Sequence, residues 1–245
     1  MSQKVAIVTG ASAGIGAATA SRLAAAGYRV IAAARRLERL EELAAEFGGE
    51  ARRLDVTDLN DITELAAGIE RLDLLVNNAG GALGLDPIEA SDDERWRVMW
   101  ETNVLGLMRM TRALLPALRA SGAGHVINVG SIAGFEVYPG GGGYTSVKHA
   151  ARAVTRTLRL ELLGEPIRIT EVNPGLVETE FSLVRFAGDE ERAAATYRGM
   201  TPLTGDDVAE CIVWAATRPA HVNVDEIVVR PLDQAAVTHV HRQSD

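Results

Sequence analysis

Tyr144 and Lys148 stand four residues apart in a stretch with helical apolar spacing, so a phenol and an ammonium share one helix face. An ammonium beside a phenol stabilises the phenolate, and such a tyrosine acts as a general acid or base. Ser131, just after a β-rich run, adds a hydroxyl, and Asn103, inside a long helical pattern, adds an amide. Each has a bland alternative: Tyr-x-x-x-Lys alone is ordinary helix surface, Ser131 caps a turn, and Asn103 satisfies backbone within its helix.

Upstream, the first β-rich run ends in Thr9-Gly10-Ala11-Ser12-Ala13-Gly14-Ile15-Gly16 and a helix opens at once. An open α/β sheet places a dinucleotide there. The spacing is G-x-x-x-G-x-G, not G-x-G-x-x-G, so the case rests on physics: glycines let the main chain approach a pyrophosphate, and the helix N-terminus supplies free N–H groups. The second run reads Ile31-Ala32-Ala33-Ala34-Arg35-Arg36. No carboxylate stands at its end to bind a ribose 2′-hydroxyl, and two guanidiniums follow that suit a 2′-phosphate, which favours NADP(H) over NAD. The alternative is a solvated helix start, with Arg36 and Arg39 facing water. A free tyrosine titrates near pH ~10, and lowering it to about 7 takes roughly 4 kcal/mol, within reach of Lys148 and a cationic nicotinamide together.

These elements sit in a chain of 245 residues with 25 Lys+Arg against 33 Asp+Glu, net −8, and 47% hydrophobic residues. That composition suits one globular domain and disfavours nucleic acid, since the basic clusters around Arg35–Arg39 and Arg52-Arg53 are short and acid-neighboured. The single Cys211 forms no internal disulfide, which fits a cytoplasmic location. The segment after Lys4 mimics a signal peptide only until Thr9–Gly14 interrupts it, and no window reaches the ~18 apolar residues of a membrane span.

Periodicity predicts strands at 4–9, 29–34, 50–54, 72–76, 125–129, 167–172 and 226–229, and helices at 14–26, 37–47, 59–70, 91–118, 143–163 and 206–217. The alternation implies α/β architecture: a single doubly wound parallel sheet, Rossmann-like, of about seven strands with helices on both faces, in one domain spanning 1–245. Pro116 is expected to kink or end the fourth helix. The Gly140–Gly143 run reads either as backbone freedom near a ligand or as a flexible turn. His239-x-His241 belongs to a mobile or docked tail, and His149 lies about 100° around its helix from Lys148.

Together these motifs, with Asn77-Asn78-Ala79-Gly80 and Pro174-Gly175, fall in the order and spacing of the short-chain dehydrogenase/reductase family, which the chain resembles over nearly its whole length. The resemblance implies that Tyr144 is the acid/base, that Lys148 tunes it and holds the nicotinamide ribose, that Ser131 polarises a carbonyl and that Asn103 holds a relay water. It further implies cofactor contacts from Gly10, Ser12, Ala13, Gly14, Ile15, Gly16, Arg35 and Arg36. Asp55 and Val56 would lie at the adenine, Asn77, Ala79 and Gly80 would support the cofactor, and Pro174, Gly175, Val177 and Thr179 would surround the nicotinamide. No metal is required. A homotetramer packed through the fourth and fifth long helices is also implied.

Within the family, Pro174–Ser182, Val184-Arg185-Phe186, Pro219–Val224 and His241-Arg242-Gln243 resemble the NADP-dependent 3-hydroxy acid (serine or allo-threonine) dehydrogenases. The small-molecule substrate implied is a 3-hydroxy acid such as serine, allo-threonine or 3-hydroxyisobutyrate. Its carboxylate needs a cation, and Arg185, in the segment the family uses as a lid, is the candidate clamp. Three other readings keep the fold: an NADPH-dependent reductase of neutral aldehydes or ketones, a reductase of carrier-bound 3-oxoacyl groups, and a non-catalytic NADP sensor. The acidic balance disfavours the second, and intact Ser131, Tyr144 and Lys148 disfavour the third.

Overall fold

The computed structural model describes residues 3–243. Seven strands form one parallel sheet in the order β3-β2-β1-β4-β5-β6-β7: β1 Val5–Thr9, β2 Arg29–Ala34, β3 Glu50–Arg53, β4 Leu74–Asn77, β5 Gly124–Val129, β6 Ile167–Pro174 and β7 Glu226–Val229. The central strands are apolar on both faces because helices cover both. On one side, Ala6, Val8, Val30, Val76 and Ile127 pack with Leu23 of α1 (Gly14–Ala25), Leu40 of α2 (Leu37–Phe47) and Ile212 of α9 (Gly205–Ala216). On the other, Val5, Ile7, Ile31, Leu75 and Val126 meet Ile62 of α3 (Leu59–Ala67), Leu114 of α5 (Leu107–Ser121) and Leu158 of α6 (Gly142–Glu161).

The strand order reverses between β1 and β4, which pair in register Ala6↔Leu74 to Val8↔Val76. The loops leaving their carboxyl ends therefore diverge and open a crevice at the switch point. Thr9 ties these loops together: its buried hydroxyl accepts from the N–H groups of Asn78 and Ala79, both at 3.0 Å. Asn78 returns its amide to the carbonyls of Thr9 and Gly10.

Two expectations need correction and one is refined. The predicted helix 91–118 is α4 (Asp93–Trp100) continuing through a π-helical segment, Glu101–Gly106, into α5, and Pro116 lies within α5 without ending it. Pro116 is exposed and α5 continues past it, whereas the irregular turn coincides with Asn103, whose amide bonds the Met99 carbonyl at 2.9 Å. Within the Gly140–Gly143 run, Gly140 stands in a turn with φ +73°, and the last two glycines serve helix packing. A Cβ on Gly143 would lie 2.4 Å from the Met99 side chain and one on Gly142 3.2 Å from Trp96, so these glycines let α6 pack closely on α4. The third predicted helix stops at Ala67 rather than 70, and two short helices, α7 (Glu180–Arg185) and α8 (Glu190–Ala195), fall where no helix was expected.

Gly16 shows how tightly the first turn is built: a Cβ there would lie 2.4 Å from the Gly10 carbonyl oxygen, a backbone atom with nowhere to go. Gly16→Ala should cost ~1–3 kcal/mol by overpacking, read as a lower denaturation midpoint with unchanged m-value.

Candidate active site

A cleft of about 580 Å³ occupies the carboxyl-terminal edge of the sheet at the switch point. At one end lie Gly10, Ser12, Ala13, Gly14 and Ile15. Gly10 and Gly14 take positive φ, +66° and +53°, a left-handed backbone that glycine adopts without strain. The helix α1 has Ala13 as its N-cap, with no side-chain acceptor and no acidic residue in its first turn. Its terminal N–H groups thus carry the partial positive charge of a helix start with no protein anion to satisfy it. Gly16 is not part of the cleft wall; it packs α1 against the loop beneath.

Arg35 and Arg36 flank the same end, beside Asp55 and Val56. Arg36 donates to the Ser12 hydroxyl at 3.1 Å and to Glu180 at 2.7 Å. Burial alone would raise the Asp55 carboxyl, but bonds from the Thr57 N–H and hydroxyl, with Arg35 and Arg53 nearby, hold it below its ordinary value. Ala79 and Gly80 line the middle of the cleft, and Pro174, Gly175, Val177 and Thr179 line it from β6 onward.

Besides Gly16, two expected site residues lie elsewhere. Asn77 points inward from β4, donating to the Thr111 hydroxyl and to Asn128, each at 2.9 Å, because a polar side chain on a strand covered by helices must find buried partners. Its neighbours Asn78 to Gly81 reach the cleft instead. The Asn103 side chain is likewise committed: its amide donates to the carbonyls of Met99 and Gly81, and its oxygen accepts from the Gly81 N–H. It props the loop after β4, while Thr102 faces the cleft.

At the other end Ser131, Tyr144 and Lys148 converge, as the spacing predicts. Ser131 follows β5, and its N–H is held by the buried Asn173 Oδ1 at 2.9 Å. Lys148 is only 8% exposed; its Nζ donates to the Val129 carbonyl at 3.1 Å and lies 5.7 Å from the Tyr144 ring centroid. Burial pushes the amine down to about 8, against the raising effect of Glu171. The phenol is pushed above its ordinary value, first by burial and then by Tyr138, with Ser131 and Arg185 opposing. Desolvation of the phenolate outweighs the opposing effects of Ser131 and Arg185, so the protein alone holds this phenol above its ordinary value.

Arg185 reaches this end from α7. Its Nε donates to the Gly84 carbonyl at 3.0 Å, its Nη2 to the Tyr138 hydroxyl at 3.1 Å, and its guanidinium lies 5.9 Å from the Tyr144 ring centroid. The edge of Phe181 contacts Tyr144 at 5.5 Å between centroids. Sequence reasoning missed Asn173, Glu171, Glu180 and the wall formed by Gln234, Val237 and Thr238. The first two had a usable signal, being polar residues in a strand of the buried, two-sided type.

The family model for short chain dehydrogenases matches residues 4–189. An oxidoreductase of Mycobacterium tuberculosis described as uncharacterized is 59% identical over 236 residues, 96% of this chain and 94% of its own. The NADP-dependent 3-hydroxy acid dehydrogenase YdfG of Escherichia coli K12 is 43% identical over 247 residues, 98% of this chain and all of its own. Among solved structures, the closed form of serine dehydrogenase complexed with NADP+ superposes with a TM-score of 0.92 at 42% identity, covering 98% of this chain and 100% of that one. The chain belongs to the short-chain dehydrogenase family.

Lys148 has a stability signature. Its folded value lies below the ordinary 10.5, so the unfolded chain holds the proton more tightly, and below pH ~8 the fold pays for a buried ammonium. That penalty is relieved as pH rises from about 8 toward 10.5. Denaturant titrations should show that the stability of Lys148→Met minus that of the wild type falls by roughly 2–3 kcal/mol between about pH 7 and about pH 10; a pH-independent difference would mean the amine is not perturbed.

Proposed function

We propose that this protein is an NADP-linked oxidoreductase that interconverts an alcohol and a carbonyl, with a small 3-hydroxy acid as substrate, in one domain spanning 1–245. The reading is carried by the convergence of Ser131, Tyr144 and Lys148 at one end of a cleft whose other end joins an uncapped helix N-terminus to Arg35 and Arg36.

These residues fit a phosphorylated dinucleotide. The N–H groups around Ser12 to Ile15 suit a pyrophosphate, Arg35 and Arg36 a 2′-phosphate, and Asp55 and Val56 an adenine. Pro174, Gly175, Val177 and Thr179 form the wall for the nicotinamide, and Ala79 and Gly80 the floor between. When bound, the nicotinamide supplies or accepts the hydride. The chain's own residues handle the proton. Tyr144 Oη is protonated at neutral pH, which suits it to give its proton to the carbonyl oxygen in reduction and to take it back in oxidation. The Ser131 hydroxyl hydrogen-bonds the same oxygen, and Lys148 orients the ribose while feeding charge toward the phenol. Asn103 acts on this site by holding Gly81 rather than by presenting its amide.

The names of the relatives and the position of Arg185 support the acid substrate: the guanidinium stands close to Tyr144, where a carboxylate beside the reacting carbon would fall. A reductase of neutral carbonyls is the second reading, favoured by one observation: Arg185 already spends two nitrogens on Gly84 and Tyr138. Exposed Val98, Trp100 and Leu160, on or beside the long helices, support the homotetramer, and a cytoplasmic location completes the proposal.

Tyr144→Phe should lower kcat by at least ~10²-fold while NADPH binding, followed by nucleotide fluorescence, stays within about twofold; an active variant would remove Tyr144 from its role. A spectrophotometric panel of D- and L-serine, allo-threonine, 3-hydroxyisobutyrate and neutral alcohols tests the substrate. Arg185→Gln should lower kcat/KM for the acids by ~10–100-fold and leave neutral substrates nearly unchanged, whereas turnover confined to neutral compounds would favour the second reading.

A further inference from the structure

Glu180 is the first residue of α7, and its carboxylate spans two guanidiniums: Arg36 Nη1 reaches Oε2 at 2.7 Å and Arg39 Nη1 reaches Oε1 at 2.6 Å. Its position is fixed from both sides. Thr179 caps α7 by accepting from the Phe181 N–H, and its side chain lies against Gly14, where a Cβ would fall 3.0 Å from it. Arg36 also donates through Nε to Ser12 in the glycine loop. The chain Ser12–Arg36–Glu180–Arg39 therefore closes over the end of the cleft where β2 finishes, and Arg36 and Glu180 both belong to the cleft wall.

A phosphate binds a guanidinium best through two parallel N–H groups on one edge. One edge of Arg36 contains Nε, already given to Ser12; the other contains Nη1, already given to Glu180. Arg35 has no acceptor among the described hydrogen bonds, whereas a phosphate bound bidentately to Arg36 shares either Nε with Ser12 or Nη1 with Glu180. Bonds from Arg39 and Arg36 also hold the Glu180 carboxyl below its ordinary range, so it is fully charged at neutral pH and would repel a phosphate dianion on the same arginine.

Resting on the NADP reading above, we propose that Glu180 is a specificity-determining residue: an internal anion that occupies Arg36 and Arg39 and competes with the cofactor's 2′-phosphate for them. The carboxylate lowers the affinity gained from the phosphate and leaves the rest of the nucleotide unaffected. It also keeps the two arginines paired when no phosphate is present. The groups are partly exposed and screened, so the competition is modest in size.

The experiment is calorimetric titration of the intact protein, wild type, Glu180→Gln and Glu180→Ala, with 2′,5′-ADP and with ADP, probes that differ by the 2′-phosphate. Wild type should prefer 2′,5′-ADP. Both variants should bind 2′,5′-ADP about three- to tenfold more tightly, with ADP affinity unchanged within about twofold and the gain shrinking at high salt. Thermal melts confirm that the variants are folded, and using two substitutions guards against one that is not. If wild type discriminates but both folded variants bind 2′,5′-ADP no better than it does, the proposal is overturned and the NADP reading stands. If wild type and both variants alike bind the two probes equally, the NADP reading falls and the proposal with it.

Discussion

The buried hydroxyl of Thr9 holds the site together. It stands at the end of β1, where the strand order reverses, and accepts from two successive N–H groups of the loop leaving β4 while Asn78 answers to the carbonyls of Thr9 and Gly10. The crevice at a switch point exists because two loops diverge, and a crevice left to loop flexibility would have no fixed width. Here the divergence begins from a hydrogen-bonded joint in a dry environment, where such bonds are strong and their loss costly. The glycine turn, α1 and the Asn78–Gly81 loop are all referred to it. Asn103 is the second prop, reaching across from the π-helical turn to Gly81.

The reactive end follows the same logic with charge added. Gly130 has no room for a side chain, since a Cβ would lie 2.0 Å from Asn173 Oδ1, and this closeness lets Asn173 grip the N–H of Ser131. Asn173 also donates to Glu171 and to Glu226, and Glu226 is neutralised by Arg152, which lies over the Phe135 ring. Burial pushes the Glu171 carboxyl upward while Asn173, Arg152 and Lys148 oppose, so the back of the site is a polar cluster held near charge balance. Lys148 is the member of that cluster facing the cleft. Its amine is anchored to Val129 within the sheet, and only a short turn separates that anchor from Ser131.

Much of this was legible in the sequence, for reasons that also mark where legibility ends. Strands such as Val5–Thr9 and Leu74–Asn77 declare themselves because a doubly covered parallel strand is apolar on both faces along most of its length, and Tyr144 and Lys148 because helical geometry alone puts them side by side. What failed depends on tertiary partners. Asn77 and Asn78 are equivalent on the page, yet strand alternation turns one inward and leaves the other at the cleft. Pro116 by itself predicts a kink or an end, yet α5 runs past it to Ser121. The helices α7 and α8, six residues each, are too short for an apolar period to show. The tail reads as mobile or docked, and through residue 243 it is docked: His241 N–H bonds the Asp233 carbonyl, Gln243 N–H bonds the Gly199 carbonyl, and Val237 and Thr238 join the cleft wall.

The short helix α7 connects these two ends. Its first residue is tied to the arginines beside the glycine loop and its last to Gly84 and Tyr138 beside Tyr144, so one rigid turn and a half of helix touches both extremities of the cleft. Few apolar contacts hold it: of its residues only Ser182 is buried, and that hydroxyl is shared with Tyr197, which in turn donates to the Val177 carbonyl. An element fixed mainly by polar contacts at its ends moves at low cost when those contacts change, which is the physical requirement for a lid. In this fold the buried bonds of Thr9, Asn103 and Asn173 fix the two loops and the strand end that frame the cleft, and α7 spans them on ion pairs and hydrogen bonds that are exposed or only partly buried.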